Sequence, residues 1–195
     1  HDLYIDEDEH HEVGYFTDVL SQRAVDHVHQ RAADAKAGKP FLLSLHYTAP
    51  HWPWETRDDA HVASDVAKNL FHLHGGDVNT YRRMIHHMDE GIGKLMVALR
   101  EEGLEENTLV VFTSDNGGER FSDNWPLVGG KMDLTEGGIR VPWIAHWPAA
   151  IPAGTVSTQH CMTMDWSATM LDAGGGQADP DWPLDGVSLL KVLRE

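Results

Sequence analysis

The chain has 195 residues, 31 acidic against 15 basic side chains, and a formal net charge of −16. That length suits one domain, and an apolar share of 41% with a charged share of 24% excludes disordered, collagenous and coiled-coil chains. No apolar run approaches the roughly 20 residues of a membrane-spanning helix, so negative a surface repels a phosphate backbone and argues against a nucleic-acid partner, and the single cysteine, Cys161, excludes an intrachain disulfide and a thiolate zinc cluster.

Residues 1–12 are acidic and His-rich and read as a surface lead-in. Leu20, Ala24, Val28 and Ala32 form an apolar stripe that predicts a helix over 17–37, ended by Gly38 and Pro40. Residues 41–47 are a short apolar run that suits a buried strand. Residues 48–76, broken by Pro50, Pro53, Gly75 and Gly76, predict a long loop, a feature associated with function in compact domains. Tyr81, Met84, Met88, Ile92, Leu95 and Leu99 share one face of a predicted helix over 78–102, with Gly103 as its C-cap. Residues 108–113 read as a second buried strand and 139–147 as a third. A further helix over 164–173 is stopped by Gly174, Gly175 and Gly176, and 187–193 is a short apolar segment. Strands alternating with amphipathic helices predict an α/β fold, a mainly parallel sheet flanked by helices. Ligands bind beyond the carboxyl ends of such strands, which points to residues 48–51 and 114–118.

Those two places carry the residues with usable chemistry. Asp115 and Asn116 offer a carboxylate and an amide oxygen at a rigid strand end, a donor pair for a hard divalent cation such as Ca²⁺ or Mg²⁺. The same residues followed by Gly117 also make an ordinary turn. Lys131, after Gly129 and Gly130, supplies a point charge on backbone that an anion can approach closely, or a solvated surface lysine. His51, between Pro50 and Pro53, has the chemistry to pass a proton to a leaving group, or is a plain surface residue. The pairs His10 and His11, His72 and His74, and His86 and His87 do not make the helical i,i+4 pair of a zinc protease. His86 and His87 point about 100° apart on one helix and read as surface decoration; Asp89 reads as structural. Trp52, Trp54, Trp125 and Trp143 lie near these loops, either as a stacking wall for a ring-shaped substrate or as packing. There is no nucleophile elbow, P-loop or dinucleotide fingerprint.

Taken in order, Gly14-Tyr-Phe-Thr-Asp18, the run from Lys39 through His51 to Pro53, the run from Asn107 through Asp115 and Asn116 to Gly117, and Gly130-Lys131 through Glu136 to Pro142 closely resemble the formylglycine-dependent sulfatases of the alkaline phosphatase superfamily. The segments from Asp165 to Leu171 and from Asp185 to Leu190 resemble later parts of the same family. The resemblance implies an alkaline phosphatase-like fold and a metal-dependent sulfuric ester hydrolase. In it, Asp115 and Asn116 would form half of a divalent-metal site, usually calcium. Lys131 would bind the sulfate group, and His51 would contact the ester near its leaving oxygen. It also implies a sulfated small molecule or glycan as substrate, and export to the periplasm or the medium.

The departures are specific. The family's Cys-x-Pro/Ala-x-Arg, source of the formylglycine, has no counterpart here. Cys161 stands in Gln-His-Cys-Met-Thr-Met, without the arginine. The consecutive metal-binding aspartates and the upstream Lys and His of the family are also missing, and Met132-Asp-Leu-Thr135 differs from its usual lysine loop. Residues 1–195 are therefore expected to be the C-terminal portion of a catalytic domain, with the nucleophile in an N-terminal portion of the same domain. By itself the chain is expected to be inactive and to expose strand edges. A phosphate or phosphonate hydrolase of the same superfamily, and a non-catalytic half-domain that binds a cation or a partner, are the competing readings.

Overall fold

The computed structural model describes residues 3–61, 63, 68 and 75–195. His72 and His74 lie outside the described residues. The N-terminal segment is more ordered than a lead-in: β1 (Leu3–Ile5) and β2 (Asp8–His10) pair antiparallel, Tyr4 opposite Glu9. Helix α1 (Phe16–Lys36) follows, and α2 (Val78–Glu101) packs along it. The side chain of Asp77 caps α2, accepting from the amides of Asn79 at 2.8 Å and Thr80 at 2.7 Å. Gly103, at φ 66°, ends α2 while the Leu104 amide reaches back to the Leu99 carbonyl at 2.8 Å.

The seam between the two helices is built from small residues. Thr17, Ser21, Ala24, Val28 and Ala32 are the buried positions of α1, so the stripe runs where periodicity put it but begins with polar residues. Gly91 of α2 faces Ser21 so closely that any Cβ there would overlap the Ser21 hydroxyl. Val28, Ala98 and Leu99 form the buried cluster, with Phe41, Leu95 and Val110 packed on it. Burying a Val or Leu side chain contributes about 1.5–3 kcal/mol, so this seam anchors everything that follows.

Strand β3 (Val110–Thr113) pairs with β4 (Trp143–His146), Phe112 opposite Ile144. Between them lies a short helical turn, α3 (Glu136–Ile139). Helix α4 (Thr163–Ala173) and the turn α5 (Leu190–Leu193) complete the order. Two sequence expectations change. Both ladders among the described residues are antiparallel, so the parallel pairing expected of the sheet is not made between these strands; an antiparallel edge strand is common on an otherwise parallel sheet. Residues 41–47 run extended but belong to no ladder among the described residues, and their side chains alternate half-buried and exposed. A strand exists only through its partner, and here Phe41 and Tyr47 are held by α1 instead. Phe41 meets His27 edge-on at 5.5 Å, and Tyr47 shares a 2.9 Å hydrogen bond with Ser21.

Candidate functional site

Strand β3 delivers Ser114, Asp115 and Asn116 directly from its carboxyl end. The Ser114 hydroxyl donates to the Asn116 carbonyl at 2.9 Å, closing the turn. Asp115 is exposed, Asn116 is half-buried, and neither side chain is engaged by another among the described residues. The loop is then fastened to the strap from Trp125 to Ile139. Gly117 donates its amide to the Gly138 carbonyl at 2.8 Å, and Lys131 donates its amide to the Gly118 carbonyl at 3.0 Å. The Asn124 side-chain amide donates to the same Gly118 oxygen at 3.0 Å and to the Gly129 carbonyl at 3.1 Å. The Gly117 and Lys131 contacts set backbone against backbone, which is why the segment needs glycine. A Cβ on Gly117 would overlap the Gly137 carbonyl, and one on Gly137 would overlap that of Gly129.

Lys131 is half-buried, its ammonium 3.5 Å from the Glu119 carboxylate. His51 is exposed on the loop after residues 41–47, and its Nδ1 lies 2.7 Å from the Trp52 carbonyl. A carbonyl only accepts, so Nδ1 carries the proton, and Nε2 is the nitrogen left to exchange one with a ligand. Aromatic packing ties this loop to the one that follows β3. Buried Trp54 meets Phe121 edge-to-face at 4.9 Å, and the Arg120 guanidinium stacks over Phe121 at 4.7 Å and Trp54 at 5.1 Å. Phe121 is held at φ 71°, a left-handed conformation that costs a non-glycine residue about 1–3 kcal/mol. The four residues from the sequence thus sit on three loops that are pinned together.

The donor set fits a hard cation in part. Asp115 and Asn116 are oxygen donors at adjacent positions, with a carboxylate that no cationic side chain neutralises among the described residues. Two side chains fall short of the six to eight oxygens that Ca²⁺ takes, and no cluster of three or more His, Cys, Asp or Glu ligands occurs among the described residues. Cys161 does not fit a nucleophile's place: it is half-buried, and burial together with the Asp165 carboxylate pushes its thiol up, away from the reactive thiolate.

Spacing did not find several residues around these loops. His87 is not surface decoration. It is buried, edge-on to Tyr15 at 5.6 Å, with Nδ1 unpartnered among the described residues. Burial, then the neighbouring Arg57 guanidinium, hold it below the usual histidine range. Arg57, six residues past His51, bridges Asp18 of α1 at 2.8 Å and Glu90 of α2 at 2.9 Å. Glu55 between them is partly buried with one oxygen unpartnered among the described residues, and burial raises its carboxyl. Periodicity carries no signal for such a residue, because the polar neighbours arrive from another element. His86 and Asp89 are exposed as a surface helix face requires, His86 beside Glu90 at 3.3 Å.

The tryptophans divide by packing. Trp54 is buried, Trp143 stacks on Trp166 at 4.6 Å, Trp52 is half-buried, and Trp125 is 85% exposed. Downstream, Asp165 of α4 accepts from the Met162 amide at 2.8 Å and the Val187 amide at 2.9 Å, and these hydrogen bonds hold its carboxyl below the usual range.

Known proteins resemble this chain in sequence and fold. The Sulfatase family model matches residues 2–176. Arylsulfatase J of Mus musculus is 32% identical over 185 residues, covering 93% of this chain and 29% of that protein. N-acetylgalactosamine-6-sulfatase of Canis lupus familiaris is 33% identical over 183 residues, covering 91% of this chain and 32% of that protein. The crystal structure of Ps i-CgsB in complex with k-i-k-neocarrahexaose superposes with a TM-score of 0.80 at 35% identity, covering 94% of this chain and 39% of that one. The chain thus spans about a third of the length of the relatives it matches, with an alkaline phosphatase-like α/β fold. A model match over most of the chain and relatives above 30% identity place it: the chain belongs to the sulfatase family.

Proposed function

We propose that this chain forms one side of the active site of a sulfuric ester hydrolase. Asp115 and Asn116 contribute oxygen ligands to a divalent cation, Ca²⁺ rather than Mg²⁺ because the exposed turn imposes no octahedral cage. When bound, the cation offsets charge on the oxygens of the transferring group. Lys131 adds a second fixed positive charge to that group. His51 keeps its Nδ1 proton on the Trp52 carbonyl, and as an imidazolium, protonated on both nitrogens, it gives its Nε2 proton to the departing ester oxygen. The remaining ligands and the formylglycine belong to the rest of the protein, in keeping with a chain that spans 29% of one relative and lacks the Cys-x-Pro/Ala-x-Arg motif. A sulfated sugar is the substrate class: one relative is named an N-acetylgalactosamine-6-sulfatase, and one solved neighbour was crystallised with k-i-k-neocarrahexaose.

The observation that carries this reading is the Gly118 carbonyl, which takes the amide of Lys131 and the side chain of Asn124 and so fixes the lysine beside the cation loop. The test uses the full-length protein with 4-nitrophenyl sulfate and 4-nitrophenyl phosphate. Sulfate turnover that falls about 10²–10³-fold in Lys131→Ala supports the proposal, that being the usual loss for one transition-state charge donor. Faster phosphate turnover, or a Lys131→Ala enzyme as fast as the parent, overturns it.

A further inference from the structure

The strap that carries Lys131 exposes several large apolar side chains. Trp125 is 85% exposed, Val128 74%, Met132 93% and Leu134 91%, all on the strap that carries the lysine. Rigidity singles out Trp125. Its amide donates to Asp123 Oδ1 at 3.0 Å, and the Leu127 amide closes the turn on the Asn124 carbonyl at 2.8 Å. Asn124, the residue before it, is fixed to Gly118 and Gly129. The indole therefore projects into solvent from a backbone held by the same carbonyl that holds Lys131. An aromatic ring with two side-chain torsions loses little freedom when a ligand lands on it. Of the tryptophans near the site, Trp54 is buried and Trp143 is already stacked on Trp166, so neither has a face to offer.

From this juxtaposition we propose that Trp125 is the platform on which the ring of the substrate lies while its sulfate reaches Lys131. The occupant this surface fits is a ring-bearing sulfate ester, which has an apolar face for the indole and an anion that takes the ammonium in place of the Glu119 carboxylate 3.5 Å from it. The proposal rests on the sulfatase reading above and extends it by naming the residue that selects for a ring.

The experiment compares full-length parent, Trp125→Ala and Trp125→Phe with 4-nitrophenyl sulfate. The expected result is a KM raised about tenfold in Trp125→Ala, the scale of one aromatic contact, with kcat changed far less and most of the KM recovered in Trp125→Phe. An unchanged KM overturns the proposal, whether or not kcat or thermal stability falls, because a purely structural residue does not act on KM alone. A change in sedimentation with KM unchanged also overturns it and makes the strap a protein interface. If the parent turns over no sulfate ester, the sulfatase reading fails separately, and calorimetry with glucose 6-sulfate decides on Trp125. Binding by the parent that is lost in Trp125→Ala supports the platform; equal binding, or none to either, overturns it.

Discussion

The amide of Lys131 donates to the carbonyl of Gly118 at 3.0 Å. The candidate anion-binding lysine and the loop that carries the candidate cation-binding turn are therefore joined through their main chains, thirteen positions apart in sequence. The Gly117 amide, bonded to the Gly138 carbonyl at 2.8 Å, fastens the other end. The site is held by main chain, so changes in backbone shape should damage it more than changes in surface charge.

Gly117→Ala tests that directly. Its Cβ would overlap a carbonyl that cannot swing aside, so thermal unfolding of the full-length protein should show a loss of about 1–3 kcal/mol. Gly93→Ala is the control. Gly93 lies within α2 with open space around it, so the same methyl should leave stability unchanged or raise it by about 0.5–1 kcal/mol.

Asp115 should link metal to stability. Adding Ca²⁺ at about 100 times its dissociation constant should raise unfolding free energy by roughly 2.7 kcal/mol. In Asp115→Asn, which keeps an oxygen but removes the charge, calorimetry should show binding weakened by at least about tenfold. Equal Ca²⁺ affinity in parent and variant would remove Asp115 from the metal site.

His87 should make the fold sensitive to mild acid. Burial and Arg57 depress its folded pKa below the ordinary histidine value of 6.5, so between those two values the unfolded chain binds the proton and the folded chain does not. Its stabilisation is complete above pH 6.5 and is lost as pH falls toward the folded pKa. Arg57, which bridges Asp18 and Glu90 beside it, gains a cationic neighbour on protonation. Denaturant midpoints from pH 7.5 to 5 should fall less steeply in His87→Phe than in the parent; parallel slopes would show that His87 titrates alike in both states.

Asp165 joins α4 to residue 187 by accepting from the Val187 amide, and closes the start of α4 by accepting from the Met162 amide. Asp165→Ala leaves both donors unpaired, and such a loss costs about 1–3 kcal/mol at neutral pH. Because the folded pKa is lowered, the stabilisation is complete above the ordinary carboxylate value of 3.8 and is lost as pH falls from there through the folded pKa. The stability difference between parent and variant in chemical denaturation should therefore narrow from pH 7 to pH 3.

The sequence by itself determined the elements whose signal is local. Helices α1 and α2 appear at their expected positions because the 3.6-residue period of Ala24, Val28 and Ala32, and of Met84, Leu95 and Leu99, is written along the chain. Strand β3 and the Asp115–Asn116 turn after it were legible for the same reason, as was the family, whose motifs keep their order. What only the tertiary structure decided depends on a partner distant in sequence. Residues 41–47 have strand composition, yet pairing is a property of two segments, and no described segment pairs with them. The burial of His87 depends on Tyr15 and Arg57, which reach it from α1's N-terminal cap and from a loop. Four tryptophans looked alike in sequence. Packing buried Trp54, stacked Trp143 and left Trp125 in solvent, because a side chain's exposure is set by what folds against it.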